Sequence, residues 1–162
     1  MYRTGIGYDI HPLKRGDKGL YIGGVKVSDI YYAKAHSDGD VLVHAILDAV
    51  LGASCKGNIG ALFPETAENL NRRSLEFLDY LRSKIIGHGF RIVNIDSVVI
   101  VENVRLTPYL EEITKSITEA LSIEKSRFSL KPKSGNGMFA DSIQAYVTCL
   151  LSTEGVRGDN DA

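Results

Sequence analysis

Apolar and polar residues recur along this chain in three rhythms, and those rhythms lay out its elements. The densest apolar run is Val41-Leu-Val-His-Ala-Ile-Leu-Asp-Ala-Val-Leu-Gly-Ala53, in which His44 and Asp48 are the polar residues. A helix apolar on most of its circumference is a buried one, and the pattern predicts it over about residues 38–53. Apolar positions three and four apart predict two more helices. One covers 72–86, with Leu75, Leu78, Leu81 and Ile85 inward and Gly87 and Gly89 as its stop. The other covers 108–121, opened by Pro108, with Leu110, Ile113, Ile117 and Leu121 inward. Alternation or runs of β-branched residues predict strands at 2–11, 90–102, 128–132 and 143–151, and an irregular strand or hairpin at 20–27 around Gly23-Gly24. In the strand at 90–102, Val93, Ile95, Val99 and Val101 are expected on one face, and Ile92, Val98 and Ile100 on the other. Residues 28–34, with Tyr31 and Tyr32, read as a connection over the core edge. Residues 62–71 read as a long polar loop of the kind that carries function.

The order β-β-α-α-β-α-β-β lacks a regular βαβ alternation. The expected class is therefore α+β: a single antiparallel-dominated four-stranded sheet with helices on one face. Its other face needs cover, and self-association is the simplest cover. Residues 1–152 read as one domain and 153–162 as a loose polar tail.

The chemistry gathers at two places. Asp40, His44 and Asp48 are spaced i, i+4, i+8 and form one stripe on the buried helix. A buried imidazole needs a hydrogen-bond partner or a metal. For the helix alone, a core histidine bonded to Asp48 is an equally good account. Just upstream, Ser37-x-x-Asp40 resembles a capping box, and a helix start of this kind suits a phosphate, although an ordinary N-cap is the plainer reading. Near the chain start, Asp9 and His11 are two apart in Gly7-Tyr-Asp-Ile-His11 and share one face of a strand. Asp-x-His alone is common in strands. Joined by His44, it becomes one carboxylate and two imidazoles, a catalytic zinc set with a fourth position open. Asp48 is then the expected partner for the second nitrogen of His44.

Composition narrows the classes further. The 162 residues carry a net charge of −1 with Lys and Arg scattered, so no nucleic-acid face is expected. Cys55 and Cys149 do not make a disulfide framework or a CxxC site, and reduced thiols in a cytoplasmic protein are the expectation. No charged-then-apolar leader opens the chain, and no apolar run is long enough for a membrane span. Gly5-x-Gly7 lacks the third glycine and following helix of a dinucleotide site.

Gly7-Tyr-Asp-Ile-His11, Ile22-Gly-Gly24, Ala35-His-Ser-Asp-Gly-Asp40 with His44, Asp48 and Leu51-Gly-Ala53, then Gly60 and Phe63-Pro64, together resemble the 2-C-methyl-D-erythritol 2,4-cyclodiphosphate synthase family of the non-mevalonate isoprenoid pathway. The resemblance spans about residues 2–152. It implies a zinc-dependent phosphorus–oxygen lyase: the 2-phosphate of 4-diphosphocytidyl-2-C-methyl-D-erythritol 2-phosphate attacks the β-phosphorus, CMP leaves and the 2,4-cyclodiphosphate forms. It implies a homotrimer with sheets around the three-fold axis and active sites between subunits, one Zn²⁺ per subunit, and Mg²⁺ or Mn²⁺ with the substrate diphosphate. By residue, it implies Asp9, His11 and His44 as zinc ligands, with His36 steadying the transferring phosphate and Ser37 as the adjacent phosphate contact. It implies Asn58, Gly60, Phe63 and Glu65 near the sugar; Val101, Arg105 and Leu106 at the cytidine; and Lys133, Ser134 and Asn136 at the diphosphate, with His36, Lys133 and Ser134 in catalytic roles.

Four stretches depart from the family pattern. Asn58 stands where the family has Asp, and Phe63-Pro-Glu-Thr-Ala67 loses one carboxylate. Lys131-Pro-Lys-Ser-Gly-Asn136 offers an amide where a carboxylate usually holds the second divalent ion. Met138-Phe-Ala-Asp-Ser-Ile143 is short and lacks the arginine that lines the trimer's central cavity. Two other readings remain at this point. One is a zinc-binding trimeric relative with little turnover, acting as a scaffold or cytidine-nucleotide binder. The other is a zinc hydrolase of another phosphoester.

Overall fold

A computed structural model of the chain describes residues 1–63 and 73–153. The expected loop at 62–71 falls outside the described residues from Pro64 on, Glu65 included, and so does the expected tail from 154 on. The elements run β1 (Tyr2–Arg15), β2 (Leu20–Ile22), β3 (Val25–Ser28), β4 (Tyr31–Ala33), α1 (Val41–Ala53), α2 (Ile59–Leu62), α3 (Leu75–Lys84), β5 (Arg91–Ile100), α4 (Leu110–Leu121), β6 (Phe128–Lys133) and β7 (Ser142–Ser152).

The α+β class holds, but the sheet differs from the four-stranded expectation. It is a mixed sheet of five strands in the order β4-β1-β7-β5-β6, with β5 and β6 parallel and the other neighbours antiparallel. Residues 31–33, expected as a connection, form its edge strand. They do so because β1 does not stop at His11. It continues through Pro12, whose carbonyl accepts from Lys34 N at 2.9 Å, and Leu13 pairs with Ala33. The segment around Gly23-Gly24 leaves the sheet as the separate β2–β3 hairpin.

The expected faces hold for Ile95, Val99 and Val101 against Val98 and Ile100, and are corrected at the start of β5. Its register shifts between Ile92 and Asn94, and such a bulge changes which residues share a face. Ile92 is therefore buried with Ile95 and Val99, while Val93 is only half-buried.

Helix α1 is the core, as its composition predicts. Leu42, Ile46, Leu47 and Leu51 are fully buried, each worth about 1.5–3 kcal/mol relative to exposure. It lies across β1 and β7, and Gly5 and Gly7 set how closely it approaches. A Cβ at Gly5 would meet Ala49 O at 1.9 Å, and one at Gly7 would meet Ala45 O at 1.9 Å. The glycine pair of β1 is a packing device that brings strand and helix backbones into direct contact. In α3, Leu78 and Leu81 are buried with Phe77, as is Ile85 just after it, and in α4, Ile113, Ile117 and Leu121 are buried; Leu75 and Leu110, expected inward at the helix starts, are only half-buried. On the sheet face away from α1, Ile6 is 73% exposed, and Tyr8, Ile10 and Tyr146 stand partly exposed beside it. The Tyr8 and Tyr146 rings lie 4.6 Å apart.

A candidate metal centre and two clefts

The close strand–helix approach brings Asp9, His11 and His44 together. Asp9 and His11 are carried on the α1-facing side of β1, and His44 on the first turn of α1. Asp9 Oδ2 lies 3.0 Å from His44 Nδ1 and 3.1 Å from His11 Nε2. The three ligand atoms lie within 4.8 Å of one another, the one such cluster of three or more metal-ligating groups among the described residues. His11 Nε2 is buried with no hydrogen-bond partner there, because its approach to Asp9 lacks hydrogen-bonding direction. An orphaned imidazole nitrogen beside a carboxylate oxygen and a second imidazole nitrogen fits a divalent metal of the zinc type.

The electrostatics agree. Burial raises the Asp9 carboxyl, but the two adjacent imidazoles outweigh it and hold Asp9 well below the usual carboxylate range. Burial lowers His44, but the Asp9 carboxylate beside it, helped by Asp40 and Asp38, raises it above an ordinary histidine.

Two expectations about α1 are corrected. Asp48 does not touch His44; its Oδ1 accepts from Ile59 N at 2.8 Å and ties α2 to α1. Helical side chains lean toward the N-terminus, so His44 turns away from Asp48. Its Nε2 instead lies 2.7 Å from Ser74 Oγ and 3.3 Å from Ser37 Oγ. Nor does Ser37 cap the helix. Asp40 is the N-cap, and its carboxylate accepts from Val43 N at 3.1 Å, Gly23 N at 2.9 Å and Gly24 N at 2.7 Å. Burial, foremost, raises the pKa of this fully buried group, and the three N–H donors act against that. Gly23 and Gly24 both have positive φ, which lets two consecutive N–H groups converge on one carboxylate. The positive end of α1 thus meets a buried carboxylate, an ordinary N-cap as in the plainer reading, with Asp40 in place of Ser37.

The other site residues divide between two clefts. Asp9, His11, His36, Ser37, His44, Gly60 and Phe63 line a cavity of about 190 Å³. Phe63 forms part of its wall by stacking on Phe77, with ring centroids 4.2 Å apart. Asn58 sits at the edge, where its Oδ1 caps α2 by accepting from Ala61 N at 3.0 Å. Val101, Arg105, Leu106, Lys133 and Ser134 line a second cleft of about 430 Å³. Asn136 follows on the exposed turn, with its Oδ1 accepting from Ser134 Oγ at 3.3 Å. The Val101–Thr107 side of this cleft is tied to the segment after Asn136: Glu102 Oε1 accepts from Phe139 N at 2.7 Å, and Asn103 Nδ2 donates to Ala140 O at 2.7 Å. The clefts share no lining residue. Reasoning from sequence missed Ser74, Asp38 and Glu102. The available signals were a serine in the first turn of an expected helix, an aspartate at the start of another and a glutamate at a strand end, all too common to single out.

The fold and site define an α+β protein with a two-histidine, one-carboxylate metal-type centre. Residues 2–152 match the model of the YgbB family. The 2-C-methyl-D-erythritol 2,4-cyclodiphosphate synthase of Kosmotoga olearia is 51% identical over 155 residues, covering 96% of this chain and 99% of that protein. The protein of that name from Thermotoga maritima is 43% identical, with 93% of this chain and 92% of that protein covered. A solved 2C-methyl-D-erythritol-2,4-cyclodiphosphate synthase, described as a CDP-bound form, superposes with a TM-score of 0.86 at 30% identity, over 93% of this chain and 100% of that one. The chain belongs to the YgbB family.

Proposed function

We propose that this chain is a 2-C-methyl-D-erythritol 2,4-cyclodiphosphate synthase, a phosphorus–oxygen lyase of the cytoplasm acting in non-mevalonate isoprenoid biosynthesis. It converts 4-diphosphocytidyl-2-C-methyl-D-erythritol 2-phosphate to the 2,4-cyclodiphosphate and CMP. An oxygen of the 2-phosphate forms a bond to the β-phosphorus. The bond from that phosphorus to the oxygen bridging to the α-phosphate breaks, and CMP leaves with the electron pair. No water is consumed.

The observation that carries this reading is the convergence of Asp9 Oδ2, His11 Nε2 and His44 Nδ1 in the cavity lined by His36 and Ser37. These three residues would hold one Zn²⁺, which when bound supplies a Lewis-acidic positive charge to a phosphate oxygen. His36 and Ser37 hold the phosphate that is transferred. The Val101–Leu106 segment, including Arg105, receives the cytidine, and Lys133, Ser134 and Asn136 hold the diphosphate. Asn58, Gly60, Phe63 and Glu65 contact the sugar. Phosphoryl transfer needs positioning and charge neutralisation more than covalent help. The chain accordingly uses no nucleophilic serine or cysteine; Cys149 is buried, which pushes its thiol up to about 11. Mg²⁺ or Mn²⁺ accompanies the diphosphate, with a weakened dependence because Asn136 offers a neutral oxygen.

The chain works as a homotrimer whose exposed sheet faces, through Ile6, Tyr8, Ile10 and Tyr146, pack around a three-fold axis. The separation of the two clefts within one chain supports an active site built between neighbouring subunits. The test is incubation of the purified protein with the substrate, following CMP release and the phosphorus-31 spectrum. Cyclic diphosphate with stoichiometric CMP is expected. Inorganic phosphate or a linear ester would identify a hydrolase. Metal uptake without turnover would identify a scaffold or nucleotide binder.

A further inference from the structure

We propose that Ser74, held by Asp38, is a positioning residue that fixes the tautomer of His44 and so turns its Nδ1 toward the metal centre; this rests on the metal reading given above. Ser74 is fully buried and lies thirty residues from His44 along the chain. Its hydroxyl has one proton to give, and it donates that proton to Asp38 Oδ1. Asp38 is fixed in turn, since its Oδ2 accepts from Ser74 N at 2.8 Å. With its proton spent, Ser74 Oγ can only accept at its 2.7 Å contact with His44 Nε2. The hydrogen of the neutral imidazole is therefore on Nε2, and Nδ1 is bare. Nδ1 points at Asp9 Oδ2, 3.0 Å away. Two lone-pair donors at that distance repel unless a cation lies between them.

A second observation is independent of these distances. Ser74 stands at the N-cap of α3, the position where a serine hydroxyl ordinarily accepts from the helix's first free N–H groups. It makes no such bond. The backbone there is already helical, with φ −59° and ψ −30°, so the hydroxyl is turned from the helix's N–H groups to the Asp38–His44 line. Ser37 Oγ, the other hydroxyl near Nε2, is farther away at 3.3 Å and accepts from Gly39 N at 3.2 Å. Partners behind a metal-binding histidine set its tautomer and its basicity as a ligand.

The test uses the full chain and two readouts. The first is Zn²⁺ affinity, measured by competition with a chromophoric chelator. The second is the nitrogen-15 spectrum of the His44 ring in the metal-free protein, at a pH where the ring is neutral. Wild type should show the hydrogen on Nε2. Ser74→Ala should give a mixed tautomer and a roughly 10–100-fold weaker Zn²⁺ affinity. Asp38→Asn, nearly the same shape, reverses the polarity: its amide can donate to Ser74, whose proton then goes to His44 Nε2. It should move the hydrogen to Nδ1 and weaken Zn²⁺ comparably, and it serves where Ser74→Ala fails to fold. Either variant keeping the wild-type tautomer, or binding Zn²⁺ within about threefold of wild type, overturns the proposal. A wild-type chain that takes up no Zn²⁺ overturns the metal reading instead, and the ring spectrum, taken without metal, tells the two failures apart.

Discussion

The β1 backbone packs directly on that of α1, and replacing Gly7 by alanine tests whether this approach assembles the candidate metal centre. A Cβ there would sit 1.9 Å from Ala45 O, 2.8 Å from Ala45 C and 2.9 Å from Ala49 N. Ordinary contact begins near 3.4 Å, so α1 would have to retreat by about 1.5 Å. Nothing else can give, because the opposing atoms are backbone and no side chain can rotate away. Gly5 repeats the geometry one helical turn on, so tilting the helix about one contact loads the other. Overpacking usually costs about 1–3 kcal/mol, and a backbone clash belongs at or above the top of that range. About 3 kcal/mol corresponds to a melting temperature lower by roughly 6–12 °C in a chain of this size.

The same retreat separates His44, next to Ala45, from Asp9. Their 3.0 Å approach becomes about 4 Å or more, too wide for both to ligate one ion closely. Urea unfolding with chelator present, and zinc content per chain after gel filtration, are the assays. Gly52→Ala is the control, since Gly52 is on the exposed side of α1 with nothing within 4 Å of its added Cβ. It should stabilise by about 0.5–1 kcal/mol. Gly7→Ala unfolding within about 0.5 kcal/mol of wild type, with one zinc per chain, would refute the reasoning.

Three further outcomes are expected. His44 has a raised pKa and must lose its proton before Nδ1 can take a metal, so apparent Zn²⁺ affinity should start to fall already above pH of about 6.5 as the solution is acidified. By the same linkage, the metal-free fold gains from the Asp9–His44 pair at pH below the ordinary histidine value and loses that gain as pH rises through the His44 value, while the Asp9 contribution disappears only in strong acid; titrations across pH and unfolding in chelator check both signs. Lys133→Ala should lower the turnover rate more than it lowers zinc content, and Asn136→Glu should steepen the Mg²⁺ dependence; complete loss of wild-type activity without Mg²⁺, together with a silent Lys133→Ala, would show instead that the substrate phosphates hold the ion by themselves. Tyr146→Asp places a charge in the middle of the exposed apolar sheet face and should convert a sedimenting trimer to monomer and abolish turnover, while a wild-type monomer at micromolar concentration would remove the inter-subunit site.

Much of the candidate metal centre is legible in sequence, because it depends on short periods. Asp9 and His11 share a face by the two-residue repeat of a strand, and His44 lies in a helix whose apolar surroundings announce burial. The α+β class and the inward residues of α3 and α4 follow from the same local rules. What those rules miss is set by contacts between distant segments. The Ile92/Asn94 register shift buries Ile92 in place of Val93. The pairing of Leu13 with Ala33 makes an edge strand of an expected connection. Asp40 reads as one member of a helical stripe, yet it binds two glycine N–H groups sixteen and seventeen residues upstream. Ser74 falls in the first turn of the helix expected over 72–86, yet its hydroxyl lies against His44, thirty residues away. Periodicity fixes which way a side chain points from its own element. Only tertiary structure decides what it meets there, because a hydrogen bond requires a partner within about 3 Å in space and is indifferent to separation along the chain.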